Sequence, residues 1–134
     1  MYLIDSSVWI EYFRAKGSAV AKRRVREILK NEEALCCGVV VVEILRGARD
    51  EKDFSTLKDS LLFLPQLPID QDVISLASQW GYILDRKGKI VSTTDLFIAA
   101  AAFKKATLLH SDKHFEVIAQ EFGLVQEKLA VSSR

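Results

Sequence analysis

Four carboxylates in this sequence stand where an acid needs a reason. Asp5 follows the apolar run MYLI, and Asp112 follows TLLHS. Asp95 opens STTDLFIAAAA, and Glu43 sits inside VVVVEILRGA. All four lie close to strongly apolar neighbours, where charged side chains are rarely buried without a partner. Taken singly, each has a plain explanation. Asp5 reads as a loop residue before a cap, and Asp112 as a first-turn acid favoured by the helix dipole. Asp95 has the same explanation, with Thr93 or Thr94 as its cap, and Glu43 can pair with Arg46 or Arg49. Taken together they point elsewhere. Clustered carboxylates repel one another and cost stability unless protonated or compensated. A hard divalent cation is the natural compensation, because Mg²⁺ takes oxygen ligands, keeps several waters and bridges to phosphates. Such an ion acidifies water and stabilises charge on a phosphoryl oxygen, so the chemistry implied is phosphodiester hydrolysis.

Whether the acids meet depends on the elements that carry them. MYLI reads as a buried strand, followed by a helix from Val8 to about Arg14 that Ser6 or Ser7 can cap. Gly17 breaks the chain, and Ser18 starts a second helix that runs to about Lys30. ALCCG is a second strand. VVVVEILRGA supports two readings: its valines favour a strand, yet Val40, Glu43 and Ile44 share one helical side and Gly47 fits a helix stop. A helix from about Asp53 runs toward FLPQLPI, whose two prolines mark an edge strand or extended crossing. DQDVISLASQWGYILDRKG has acids in its first turn and Arg86, Lys87 and Gly88 at its end, as a helix should. STTDLFIAAAAFKKA is the next helix, TLLHS a strand, KHFEVIAQEFG a short helix closed by Gly123, and LVQ a last strand. Residues 128–134 are expected to form a loose tail. This alternation predicts a three-layer α/β domain with a mainly parallel sheet. In such sheets the carboxyl edge of the strands holds the ligand crevice, and Asp5 and Asp112 both fall just past it.

The length of 134 residues suits a single domain over residues 1–134 with a real core. Apolar residues make up 49% and charged residues 28%, which excludes a disordered chain. No apolar run reaches the roughly 18 residues of a membrane span. MYLIDSSVW has no basic leader before its apolar run, so a cytoplasmic protein is expected. Cys36 and Cys37 are adjacent, which disfavours a disulfide between them and predicts two buried thiols. A net charge of +1 is low for a strong polyanion binder. The basic residues are uneven, however. Lys22 to Arg26, Arg46 and Arg49 form either a solvated face or a phosphate-contacting rim. His110, Asp112 and His114 alternate as zinc ligands might in a strand, but a helix starting at Lys113 breaks that face. His114 is therefore read as a packed or rim residue, and Trp9 and Trp80 as core or interface.

YLIDSSVWIEYF, VVVVEILRGAR and STTDLFIAAAAFKKATLLHSDKHF, in this order and spacing, resemble the PIN domain family. Within that family they resemble the VapC toxins of bacterial and archaeal toxin–antitoxin pairs. The resemblance covers nearly the whole chain. It implies a parallel sheet of order 3-2-1-4-5, which sets the strands bearing Asp5 and Asp112 side by side at the switch point. It also puts Glu43 on a helix. By motif position Asp5, Glu43, Asp95 and Asp112 match the family's four acids. Ser6 matches its small hydroxyl residue after the first acid, and Ser111 stands where many relatives have threonine. The activity implied is metal-dependent endoribonuclease. Asp5, Asp95 and Asp112 would hold one or two Mg²⁺ or Mn²⁺, and Glu43 would orient the attacking water or complete a second metal position. Ser6 and Ser111 would fix the acids. The partners implied are an RNA substrate, a VapB-type antitoxin seated in an apolar groove, and a second copy of the chain. The principal rival is a non-catalytic PIN-like module that grips RNA or protein, and the presence of all four acids argues against it. A phospho-accepting receiver domain would need adjacent acids after its first strand, where LIDSS has one.

Overall fold

The structure, a computed structural model, describes residues 1–131. Its strands are β1 (Tyr2–Ile4), β2 (Ala34–Cys37), β3 (Gln66–Leu67), β4 (Thr107–His110) and β5 (Gln126–Lys128). They form one sheet in the order β3-β2-β1-β4-β5, and every neighbouring pair is parallel. This is the predicted order 3-2-1-4-5. The helices are α1 (Ser6–Phe13), α2 (Ala19–Asn31), α3 (Gly38–Leu45), α4 (Glu51–Phe63), α5 (Gln71–Arg86), α6 (Thr93–Ala102) and α7 (Lys113–Phe122). They flank the sheet and complete the three-layer architecture.

The inner strands β1, β2 and β4 are short and buried on both faces, so they read as continuous apolar runs rather than alternating ones. Leu3, Ile4, Leu108 and Leu109 have no exposed surface. Cys36 and Cys37 are free and fully buried, as the adjacent pair predicts. Burial pushes the Cys36 thiol up to about 12, so it is inert at neutral pH.

The valine run is helical. Val40, Val41 and Ile44 are buried, while Val42 is 62% exposed. A strand would have put Val40 and Val42 on one face, so α3 obeys its packing against α1, α4 and α6 rather than valine's preference. Two caps differ from expectation. Asp5 itself caps α1, its carboxylate accepting from the N–H of Ser7. Ser92, not a threonine, caps α6 through the N–H of Asp95 at 3.2 Å.

The expected loose tail from Lys128 is corrected for the residues described. Lys128 pairs with His110 in the sheet, the N–H of Leu129 donates to the carbonyl of His110 at 2.7 Å, and Leu129 is buried. An apolar residue just past a strand can close over the sheet end, which a composition-based reading of the terminus overlooks. Residues 132–134 of that expected tail lie outside the described residues. No helix among the described residues is long and apolar enough to cross a membrane.

The basic run divides. Lys22 donates to the carbonyls of Tyr12 and Arg14 at the end of α1, and Arg24 grips Glu127. Those two are structural ties, while Arg23 and Arg26 are exposed.

Candidate metal centre at the carboxyl edge of the sheet

The parallel pairing of β1 with β4 brings Ile4 opposite Leu109, so the chain leaves both strands at one edge. Asp5 starts α1 there and Asp112 starts α7. Both carboxylates are helix caps: Asp112 Oδ1 accepts from the N–H of His114 at 2.9 Å. The helix N-termini thus supply backbone donors to two acids at the same edge. Asp95 sits in the first turn of α6, three residues after its Ser92 cap. That helix is fixed by a nearly all-buried stretch from Leu96 to Ala102 and by its close fit to α5, where Gly81 leaves room for Leu96. Glu43 reaches in from α3, where the Ser6 hydroxyl donates to its Oε1 at 3.0 Å.

The electrostatics tie these acids into one group. Asp5 is 3% exposed. Burial pushes its carboxyl above the usual range against the hydrogen bonds from Ser7, whose hydroxyl lies 2.6 Å from Oδ2. Glu43 is also raised, first by burial and then by the charges of Asp5 and Asp95, with the Ser6 hydroxyl opposing. Asp95 is raised by burial and by the charges of Asp112 and Asp5, with Ser92 and His114 opposing. Asp95 therefore senses both strand-end aspartates, and its charge reaches Glu43.

Two observations test whether a divalent cation fits. Asp5 Oδ1 is buried and has no hydrogen-bond partner among the described residues. A carboxylate oxygen stranded in this way is costly unless a proton, a water or a cation meets it, and a cation also answers the neighbouring acids. In addition, Asp95, Asp112 and His114 offer ligand atoms that all lie within 4.8 Å of one another. Ligands at adjacent corners around an ion bound at 2.1 Å lie about 3 Å apart, so a modest closing of these side chains would bring them onto a shared ion. The oxygen-rich donor set suits a hard ion, and the residues fit the group.

The sequence-predicted residues fall unevenly around this centre. Ser6 holds Glu43 directly. Ser111 contributes its backbone N–H, which donates to the Ser7 hydroxyl at 3.1 Å. Ser7, which reads in the sequence only as a possible helix cap, is the residue that links Asp5 to the end of β4. Arg46 is exposed, and its charge reaches Glu43. Arg49 is 84% exposed and lies 3.5 Å from Asp53.

His110 is not a ligand. It is fully buried, its Nδ1 accepts from the N–H of Asp112 at 3.1 Å, and its Nε2 pairs with Gln126 at 2.6 Å. That uses both ring nitrogens and orients the turn that carries Asp112. His114 stands at the rim, and its Nδ1 lies 3.0 Å from Asp112 Oδ1 and 3.7 Å from Asp95 Oδ2. The signals for Ser92 and His114 were in the sequence. Ser92-Thr-Thr-Asp95 has capping-box spacing, and an N-cap aspartate meets the residue two positions on.

Comparison with known proteins identifies the family of the chain. A family model described as PIN domain matches residues 2–121. The chain is 40% identical over 125 residues to VapC ribonuclease Mb1587 of Mycobacterium bovis, covering 90% of this chain and 92% of that protein. It is 32% identical to ribonuclease VapC1 of Methanocaldococcus jannaschii, covering 91% and 83%. Its fold is similar to VapBC2 from Rickettsia felis bound to a DNA fragment from their promoter, with a TM-score of 0.77 at 19% identity over 96% of this chain and 98% of that one.

Proposed function

The chain belongs to the PIN domain family, and from that premise we propose that it is the toxin of a VapBC-type pair, an endoribonuclease that hydrolyses RNA phosphodiesters with Mg²⁺ or Mn²⁺. The observation that carries the reading is Asp5: a buried acid whose Oδ2 accepts from Ser7 and whose Oδ1 meets no donor among the described residues. The ribonuclease names of relatives at 40% and 32% identity support the reaction class.

Asp5, Asp95 and Asp112 would hold the ion, with Glu43 beside them. When bound, a divalent cation supplies positive charge against the phosphate and acidifies water. The chain's own residues do the rest. Ser7 locks Asp5 through two contacts to one oxygen and leaves Oδ1 free. Ser6 fixes Oε1 of Glu43, so the other oxygen can take the proton of the attacking water. The raised proton affinity of Glu43 brings it closer to neutral pH, which suits a general base. Arg46, exposed beside Glu43, is placed to meet the phosphate backbone of RNA.

The proposed antitoxin has a place to dock. Trp9, Tyr12, Phe13, Leu29, Phe63 and Leu64 line a groove of about 770 Å³ between α1, α2 and α4. Phe63 there is 87% exposed. Because α1 begins at Asp5, a helix or extended segment lying in this groove can run on to the acid edge. The toxin itself is proposed to act as a homodimer in the cytoplasm.

An RNA cleavage assay with and without EDTA, on wild type and Asp5→Asn, tests the proposal. Cleavage is expected only from wild type with metal. Full activity in EDTA, or in the variant, would sink it.

A further inference from the structure

We infer that His114 binds the metal directly through Nδ1, and that it makes the site a mixed nitrogen–oxygen one tuned toward Mn²⁺ and later divalent ions over Mg²⁺. The inference rests on the reading of the acid cluster as a divalent-cation site, and it adds a ligand that the four-acid pattern does not contain.

The geometry comes from the first turn of α7. Asp112 caps that helix by accepting the N–H of His114. The carboxylate and the imidazole are therefore held on the same turn by a backbone bond. The ring then faces the acids: Nδ1 lies 3.0 Å from Asp112 Oδ1 and 3.7 Å from Asp95 Oδ2. These three groups meet the spacing of ligands on one ion. The side chain is 41% exposed, so core packing does not explain its position. The buried and unpartnered Oδ1 of Asp5 independently points to a cation at this edge, because Asp5 and Asp112 follow the adjacent parallel strands β1 and β4. The other histidine cannot substitute, since both of its nitrogens are engaged.

The chemical consequence follows from ligand type. Mg²⁺ prefers oxygen and gives up its waters reluctantly. Affinity for N/O sites rises from Mn²⁺ through Co²⁺ to Ni²⁺, and imidazole is a good ligand for the later ions. Replacing one oxygen position by imidazole therefore widens the gap between Co²⁺ and Mg²⁺. A His114 that merely ion-paired with Asp112 would leave no nitrogen on the metal and no such gap.

Two measurements on the full-length protein decide this. Pulsed EPR of the Mn²⁺-loaded wild type should show ¹⁴N modulation from a directly bound nitrogen, and His114→Ala should lose it. The alanine variant keeps the backbone N–H that Asp112 caps, so the helix start survives. By titration calorimetry, His114→Ala should lower Co²⁺ affinity by about tenfold or more, at least what losing an outer-shell partner costs. Its Mg²⁺ affinity should change by less than about threefold. Bound Mn²⁺ without a nitrogen signal, or equal losses for Co²⁺ and Mg²⁺, would overturn the inference alone. Failure of the wild type to bind Mn²⁺ at all would overturn the metal reading of the site and this inference with it.

Discussion

At the carboxyl edge of β1 and β4, Asp5 and Asp95 meet hydroxyls and backbone N–H groups, with the imidazoles of His110 and His114 nearby, and burial pushes both above the usual carboxylate range. Around β5 the same residue class lives differently. Glu127 is gripped by Arg24 through two bonds, at 2.7 and 3.0 Å, and is held below its usual range. Glu121, at the end of α7, takes both Lys87 and Lys89 and is held at about 2. Where the protein supplies the cation, the acid ties elements together. Where no such cation stands beside them among the described residues, burial leaves the acids raised, as the cation site proposed above requires. An acid's role in this sheet is thus decided by the origin of its counter-charge, not by its distance from the core.

The sharpest way to break the contrast is to neutralise one acid of each kind. Asp112→Asn is expected to lower RNA cleavage by about 100-fold or more, as losing several kcal/mol of charge stabilisation requires. Its fold should survive, because asparagine caps a helix about as well as aspartate. Glu127→Gln should keep its cleavage rate. A steady-state assay with purified variants reads both, and comparable losses in the two would erase the distinction between the regions.

The contrast was half visible in the sequence. Asp5 and Asp112 announced themselves because an acid directly after an apolar strand falls at the edge of a parallel sheet, and strand order followed from the family resemblance. Glu43 was less plain: valine propensity favours a strand over Val39 to Val42, its helix was fixed by the family resemblance, and packing against α1, α4 and α6 is what makes the segment helical. The Arg24–Glu127 tie spans 103 residues, and no local pattern joins KRRVR to the last strand. Ser7 reads in the sequence only as a possible helix cap, because two serines follow Asp5 and either can cap. The structure instead gives Ser6 to Glu43 and Ser7 to Asp5.

The next effect is on stability at the β5 side. Arg24 also bonds the Tyr2 hydroxyl at 2.9 Å, so it links α2 to β1 and β5. Arg24→Met removes a two-pronged, partly buried pair and should cost about 1 to 2 kcal/mol in urea unfolding. No change in the urea midpoint would mean that the pair is ornamental, and that protein-supplied cations do not stabilise this sheet.

Relief of repulsion is the smaller, opposite effect at the edge that carries Asp5 and Asp95. Asp95 does not cap its own helix, so in EDTA Asp95→Asn should be neutral or stabilising by up to about 1 kcal/mol. The sign with pH is definite. Asp5, Glu43 and Asp95 have folded values above their unfolded ones. Their penalty is absent below the ordinary carboxylate range, builds as pH rises through it, and is complete above the raised values. Metal-free wild type should therefore lose stability over that rise, and Asp95→Asn should lose less. Added Mn²⁺ should restore wild type more than the variant. A melting temperature that drops sharply for Asp95→Asn in EDTA would make Asp95 a structural residue after all.

The smallest effect sharpens the comparison from the other side. Glu121 has a folded value of about 2 against an ordinary value of 4.5, so its contribution is present above the ordinary value and lost as pH falls toward 2. Glu121→Gln should flatten the acid limb of the stability curve over that window and leave the neutral limb as in wild type. Because Lys87 and Lys89 are about half exposed, the difference between variant and wild type should also shrink in high salt. The two variants thus act on opposite limbs of one curve, Asp95→Asn where carboxylates ionise without a partner and Glu121→Gln where a partnered one is forced to take a proton. Thermal melts from pH 2 to 8 in EDTA separate them. If Glu121→Gln instead altered the neutral limb, the lysines would be compensating something other than Glu121, and the division of acids by source of counter-charge would fail on the side where it is simplest.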